Sequence, residues 1–271
     1  TNPPTVQGSE NDATRVYYGY NACINAACGA YSTAIGYEAL REGGDYSTGV
    51  GYRALYSAQS SATNNTAVGF EALFSNTTGS SNIAIGNALY SNTTGSENTA
   101  VGHYALDANS TGSYNVALGT GALLSNTVSG NTALGYTALR DNTTGVYNVA
   151  VGFGALFENE TGGNNTAVGY LALQKNPGDA NTALGSGALN QNTTADYNTA
   201  VGFAALSVNT TGTENISIGS LSMYDNTTGS NNSAIGHGAL SNNTTGWYNV
   251  AVGTKALYTN TTGLANTAIG E

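Results

Sequence analysis

An all-β solenoid is the fold class this sequence predicts. Three observations predict it: a glycine that recurs at near-constant spacing, a turn sequence that recurs with it, and the lack of helical periodicity between them. The glycine follows an aliphatic residue at Gly36, Gly51, Gly69, Gly86, Gly102, Gly119, Gly135, Gly152, Gly169, Gly185, Gly202, Gly219, Gly236, Gly253 and Gly270. Gly19 begins the series less cleanly, with VYYG in place of AVG. The sixteen glycines define fifteen intervals, ten of 17 residues, three of 16, one of 15 and one of 18. The unit reads G-x-x-A-L-x-x-N-T-T-G-x-x-N-T-A-V, and self-similarity at such a period marks a stacked-repeat architecture. Residues 1–18 stand outside it as a leader or capping segment, and 19–271 form the repeat domain.

Each element of the unit has a local reason. N-T-A-V-G alternates at period two, Thr and Val on one face and Asn and Ala on the other, with β-branched residues where a strand favours them. A second short extended piece carries A-L. N-T-T-G between them is turn chemistry: Asn bonds its own backbone, and Gly supplies a positive φ. Two strands and two turns make one coil, and fifteen coils stacked at about 4.8 Å give a length of roughly 70 Å.

Composition narrows the function classes. Only 8 % of the 271 residues are charged, against roughly 25 % in ordinary globular domains. Yet 40 % are hydrophobic and fall at fixed places, which argues against disorder. The net charge is −10 with six Lys and Arg, so a phosphate backbone finds little to grip and nucleic-acid binding is disfavoured. No run of 18 apolar residues exists to insert in a bilayer, and no charged-then-apolar signal opens the chain. The chain looks like a mature or excised segment.

Charged side chains map the surface, because they are seldom fully buried unless paired. Glu38, Arg53, Glu71 and Lys255 fall two places after the glycine, and Arg41, Asp107 and Arg140 five places after it. From the second repeat on, none enters the A-L pair or the N-T-A-V-G strand, so those columns are expected inside. Leu73, Leu106, Leu123, Leu139, Leu156, Leu189, Leu206 and Leu240, with the aliphatic before each glycine, then form a narrow core. Two Asn columns, Asn76, Asn142, Asn209 and Asn260 in the turn and Asn65, Asn115, Asn198 and Asn249 at the strand start, are expected to stack amides between rungs. If Val and Leu fill the coil, the strand alanines such as Ala67, Ala100 and Ala183 face out as a smooth uncharged strip. Such strips are rarely left exposed, which predicts a parallel homo-oligomer, a trimer about the fibre axis. The alternative is a two-layer coil in which Ala is the thin part of the core.

With these columns in place, STAIGYEAL at 32–40, NIAIGNAL at 82–89 and NSAIGHGAL at 232–240 resemble the repeat of YadA-like head domains of trimeric autotransporter adhesins. Similar repeats occur in tail-fibre-like and other surface fibre proteins. The resemblance spans residues 19 to 271, though the family's common unit is shorter and the N-T-T-G turn is an enlarged connection. It implies a left-handed parallel β-roll, a homotrimer, and an extracellular place on a cell surface or virion fibre. The function it implies is adhesion, with a host or prey surface protein or a glycan as partner.

Candidate sites are few. Tyr37, Tyr52, Phe70, Tyr136, Phe153, Tyr170 and Phe203 each follow a repeat glycine and either stack against a ligand such as a sugar or pack along the coil edge. Cys23 and Cys28 are either a disulfide across the first coil or two small buried hydrophobes. His103 and His237 lie eight coils apart, carboxylates form no recurring pair, and no cofactor or metal site is encoded, so no enzyme is predicted. The Asn-Thr-Thr sequons at Asn76 and Asn209 are glycosylation acceptors by pattern and turn-ladder residues by position.

Two further readings are ice binding, through the Thr66, Thr99, Thr132, Thr166, Thr182 and Thr199 column, and a structural spacer or fibre shaft. Against ice binding, Thr alternates with the aliphatic expected in the core and so is expected to face inward. A hexapeptide-type acyltransferase would need three similar hexads per coil, and the repeat has one.

Overall fold

A computed structural model describes residues 15–24 and 29–271. It comprises two compact units, Thr1–Asn131 and Thr132–Glu271. The first unit holds β1 (Val16–Tyr18), β2 (Thr33–Ile35), β3 (Thr48–Val50), β4 (Thr66–Val68), β5 (Ile83–Ile85), β6 (Thr99–Val101) and β7 (Val116–Leu118). The second holds β8 (Thr132–Leu134), β9 (Val149–Val151), β10 (Thr166–Val168), β11 (Thr182–Leu184), β12 (Thr199–Val201), β13 (Ile216–Ile218), β14 (Ser233–Ile235), β15 (Val250–Val252) and β16 (Thr267–Ile269). The chain is thus an all-β parallel solenoid with one strand per coil, and no helix occurs among the described residues. β1 lies inside the stretch assigned to the leader, just before Gly19, where every other strand precedes its glycine. The rest of that stretch, residues 1–14, lies outside the described residues.

Within each unit successive strands pair in parallel and like meets like. Thr66, Ala67 and Val68 face Ile83, Ala84 and Ile85, and Thr166, Ala167 and Val168 face Thr182, Ala183 and Leu184. Each residue type therefore becomes a column along the stack, the expected outcome of a repeat whose period equals one coil.

A-L does not form a second strand. Its leucine adopts a left-handed backbone, φ 52° at Leu73 and Leu139, as does the residue two before it, φ 52° at Glu71 and 51° at Thr137. A left-handed non-glycine residue costs about 1–2 kcal/mol, and coil-to-coil hydrogen bonding compensates. Leu73 N–H donates to the Ala88 carbonyl at 3.1 Å, while Glu71 N–H donates the other way, to Tyr52, at 2.9 Å. Left-handed residues at two alternate positions thus join each coil to both neighbours without β geometry. The turn glycines also differ from expectation. Gly145 has no positive φ; a Cβ there would lie 2.1 Å from the Gly162 carbonyl oxygen and 2.5 Å from Asn142 Oδ1. Close approach, not a left-handed turn, selects glycine there. The left-handed position falls on the residue before the strand Asn, as at Tyr114 and Tyr147.

The core corrects the predicted face of the strand. Ala67, Ala100, Ala167 and Ala183 are fully buried, as are the Ala and Leu of each A-L pair from Ala39–Leu40 to Ala239–Leu240, Ser222–Met223 replacing one of them. The aliphatic before each glycine is outside: Val68 is 37 % exposed, Leu134 45 % and Leu184 48 %. Ala is therefore the thin part of a two-layer core, the alternative left open by the sequence. The physical reason is parity. Asn65 and Ala67 are two residues apart in a strand and must share a face, and an amide ladder shielded from water pulls that whole face inward.

Most of those amides are satisfied; among the described residues the buried Oδ1 atoms of Asn109 and Asn159 have no partner. Asn92 Nδ2 donates to Asn76 Oδ1 at 2.8 Å and to the Gly95 carbonyl at 3.0 Å, and the same pattern links Asn209, Asn226, Asn243 and Asn260. In the strand column, Asn115 N–H donates to Asn98 Oδ1 at 3.0 Å, and Asn249 N–H to Asn232 Oδ1 at 3.0 Å. Asn65, Asn142 and Asn198 donate Nδ2 to the carbonyls of Gly79, Gly145 and Gly212. Replacing Asn226 by leucine would orphan one of the two Asn243 Nδ2 N–H groups, the other staying on the Gly246 carbonyl, and the Asn209 acceptor, at about 1–3 kcal/mol each. A urea titration of Asn226→Leu is expected to show a loss of that order, and an unchanged midpoint would refute the ladder's structural weight.

Candidate functional site

The first candidate surface is the outward face of the strands. Its two columns carry Thr, Val, Ile or Ser before the buried Ala and Val, Ile or Leu after it. Exposures of 40 % at Ile83, 42 % at Ile85, 38 % at Ile218 and 43 % at Ile235 make this face apolar in each unit. Thr66, Thr99, Thr132, Thr166 and Thr199 are half-buried and Thr182 is exposed, so the threonines face outward, opposite to expectation. Parallel sheets are normally covered on both faces, and here only the inner face is.

The second surface is aromatic. The rings after the glycines stack on one another, Tyr37 on Tyr52 and Tyr52 on Phe70 at 5.2 Å between centroids. In the second unit Tyr136 stacks on Phe153 at 5.2 Å and Phe153 on Tyr170 at 5.5 Å. Ring faces are therefore largely covered by neighbouring rings, and edges are what solvent meets. Phe203 follows its glycine between the coils of Ser186 and Ser220 and is 61 % exposed. Sequence reasoning missed a second ring column: Tyr56, Phe74 and Tyr90 stack at 5.1 and 5.2 Å, with Phe157 at the equivalent place. These are five residues after their glycines, or four in the shortened coil of Tyr90. Aligning the repeats would have shown the column.

Cations sit on these rings. Arg53 Nε donates to Glu38 at 2.8 Å, and its guanidinium lies 5.0 Å from the Tyr52 ring centroid. The pairing lets Glu38 be buried, 7 % exposed, which corrects its assignment to a water-facing column. Arg41 donates to the Tyr56 hydroxyl. In the second unit Arg140 donates Nε and Nη2 to the two oxygens of Asp141 at 2.7 and 2.9 Å and covers Phe157 at 3.9 Å. The hydrogen bonds to Glu38 and to Asp141 raise the pKa of Arg53 and Arg140 further above their already high values.

Alongside Arg140 lies a recess of about 280 Å³. Tyr136 and Phe153 form one side and Arg140, Phe157 and Gln174 the other. Its floor is the column two residues after the glycine: Thr137, Gly154 and Leu171. All three have a left-handed backbone, φ 51°, 60° and 51°, and only Gly154 brings no side chain.

Burial raises the pKa of Asp107, and the charge of nearby His103 lowers it less. A carboxyl with a raised folded-state pKa favours the folded state below the ordinary carboxylate value, and that contribution is lost as pH rises through the raised one. Asp107→Asn is therefore expected to raise the melting temperature at pH 7 and to leave it unchanged near pH 3; an equal shift at both pH values would refute this. The His103 ring lies against Tyr104, at 3.7 Å. No group of three or more His, Cys, Asp or Glu suited to a metal occurs among the described residues.

Asn76 and Asn209 are fully buried with Nδ2 engaged in hydrogen bonds, so in the folded coil these sequons present no acceptor. Cys23 takes the leucine's place in its coil with the same left-handed backbone, φ 48°; Cys28 lies outside the described residues. No helix among the described residues is long and apolar enough to cross a membrane. No family model matches the chain, and no curated protein matches it either.

Proposed function

We infer that this chain is a segment of an extracellular, homotrimeric adhesive fibre of the kind its repeat resembles, with a left-handed β-roll. The observation that carries the reading is the apolar outer face of the strands. Its aliphatic column repeats coil after coil in each unit, and burial in an interface is what such a face needs. The strand alanines lie in the core, so the proposed interface is made by Val, Ile and Leu. The sparsely charged, regular stack suits a passive fibre that presents surfaces at fixed intervals. The native mass by light scattering tests it: about three times the 27.3 kDa chain mass supports the fibre, and a monomer overturns it. Adhesion of the fluorescently labelled chain to cells tests the attachment role.

One observation favours a second reading, ice binding: the threonine column faces outward beside the aliphatic column on the same sheet face. A monomer that produces thermal hysteresis would select this reading. A trimer without hysteresis would remove it, and a trimer that adheres to nothing would leave a fibre shaft.

A further inference from the structure

We propose that the recess beside Arg140 binds one pyranose ring of a neutral glycan. This deepens the attachment reading and rests on it, by naming a ligand class and the residues that take it.

Size is the first argument. At about 280 Å³ the recess falls just below the ~300–1,000 Å³ of sites for drug-sized ligands, which leaves room for one ring and not for an extended molecule. Of the three floor positions, Gly154 alone carries no side chain. A Cβ at that position would stand 2.7 Å from Leu171 Cδ2, so any larger residue displaces the Leu171 side chain and remodels the floor.

The lining chemistry is the second argument. Leu171 and the bare Gly154 backbone form an apolar base suited to the C–H face of a sugar. Stacking of Phe153 between Tyr136 and Tyr170 leaves ring edges, whose partial positive charge attracts hydroxyl oxygens. The rim is polar. Asp141 takes two of the five N–H donors of Arg140. Gln174 Oε1 accepts from Asn190 Nδ2 at 3.2 Å, which leaves the Gln174 amide N–H groups as donors. Tyr136 and Thr137 add hydroxyl-bearing side chains to the lining. A purely apolar occupant would desolvate these groups without replacing their hydrogen bonds, whereas the hydroxyls of a sugar replace them.

Charge sets the class of sugar. The cation of Arg140 is already neutralised by Asp141, and the chain carries −10 overall. A sialic or uronic acid carboxylate would meet Asp141 and a repulsive field; a neutral hexose or N-acetylhexosamine meets neither. All lining residues lie one, two or five places after a glycine, so covering the strand face leaves the recess available.

The test screens the full chain on an array of neutral gluco-, galacto- and N-acetylhexosamine oligosaccharides with their sialylated counterparts, then measures the best neutral binder by titration calorimetry. The proposal expects capture of a neutral glycan, weaker capture of its sialylated form, and at least a tenfold loss in Gly154→Thr. Thr137 shows that the column accepts threonine at this backbone geometry. Gly238→Thr, at φ 62° in a coil away from the recess, is expected to bind as wild type. Tyr136→Phe and Gln174→Ala, which remove rim groups without touching the backbone, are expected to weaken binding several-fold and keep the test informative if Gly154→Thr fails to fold. Absence of neutral-glycan capture, or capture that the recess variants leave unchanged, overturns the proposal. A trimer that still adheres to cells stripped of neutral glycans overturns it while the attachment reading stands; a chain that adheres to no surface overturns both.

Discussion

Replacing Gly152 by alanine is expected to abolish cooperative folding of the second unit. Gly152 has φ 130°, and a Cβ on it would lie 2.5 Å from the carbonyl oxygen of Gly169, the same glycine of the next coil. Backbone is the obstacle, so no rotamer change relieves it, and the coil must either separate from its neighbour or unfold. The loss should exceed about 4 kcal/mol, the range reserved for core clashes and special backbone positions. Gly187→Ala supplies the comparison. Its φ is 66° and nothing lies within 4 Å of its Cβ position, so the expected cost is only the left-handed penalty of about 1–2 kcal/mol. Circular-dichroism melts of the two variants decide: equal melting temperatures would refute the close-contact explanation of the repeat glycine.

The double substitution Leu184→Asp and Ile218→Asp is expected to convert the trimer we propose into single chains. Both residues are exposed in the single chain, at 48 % and 38 %, so the aspartates cost the isolated solenoid little. In a dry interface the same two carboxylates, repeated on three chains, would meet neither water nor cations, a penalty of several kcal/mol per site. Thr228→Asp, on the exposed turn away from the strands, is the control and should leave the mass unchanged. A particle whose mass survives the double substitution would place the interface elsewhere or remove it.

Much of this architecture is written in the columns. The strand at N-T-A-V-G and the two Asn series follow from spacing alone, because a period equal to one coil converts sequence positions into stacked neighbours; the second strand expected at A-L does not form. The facing of the strand was harder. Val68 and Leu184 look like core by bulk, and only the parity linking Asn65 to Ala67 shows that the small residue is the buried one. The backbone of Leu73 was not legible at all: nothing in a local A-L pair announces a left-handed leucine, whose compensation is a hydrogen bond to the next coil. The recess is equally non-local, since Thr137, Gly154 and Leu171 are one site only once three coils are laid side by side.

Coil-to-coil bonding, the link between Leu73 and Ala88 being one case, also bears on how such a chain reaches its folded state. Most contacts join residues one repeat apart, 17 positions in the commonest interval, so the loops to be closed stay short however many coils are added. Folding time in such arrays is governed by the first pair of coils, after which each further coil adds onto a finished template. A polypeptide emerging end-first from a narrow pore can therefore complete each coil as it appears, without waiting for the rest of the chain.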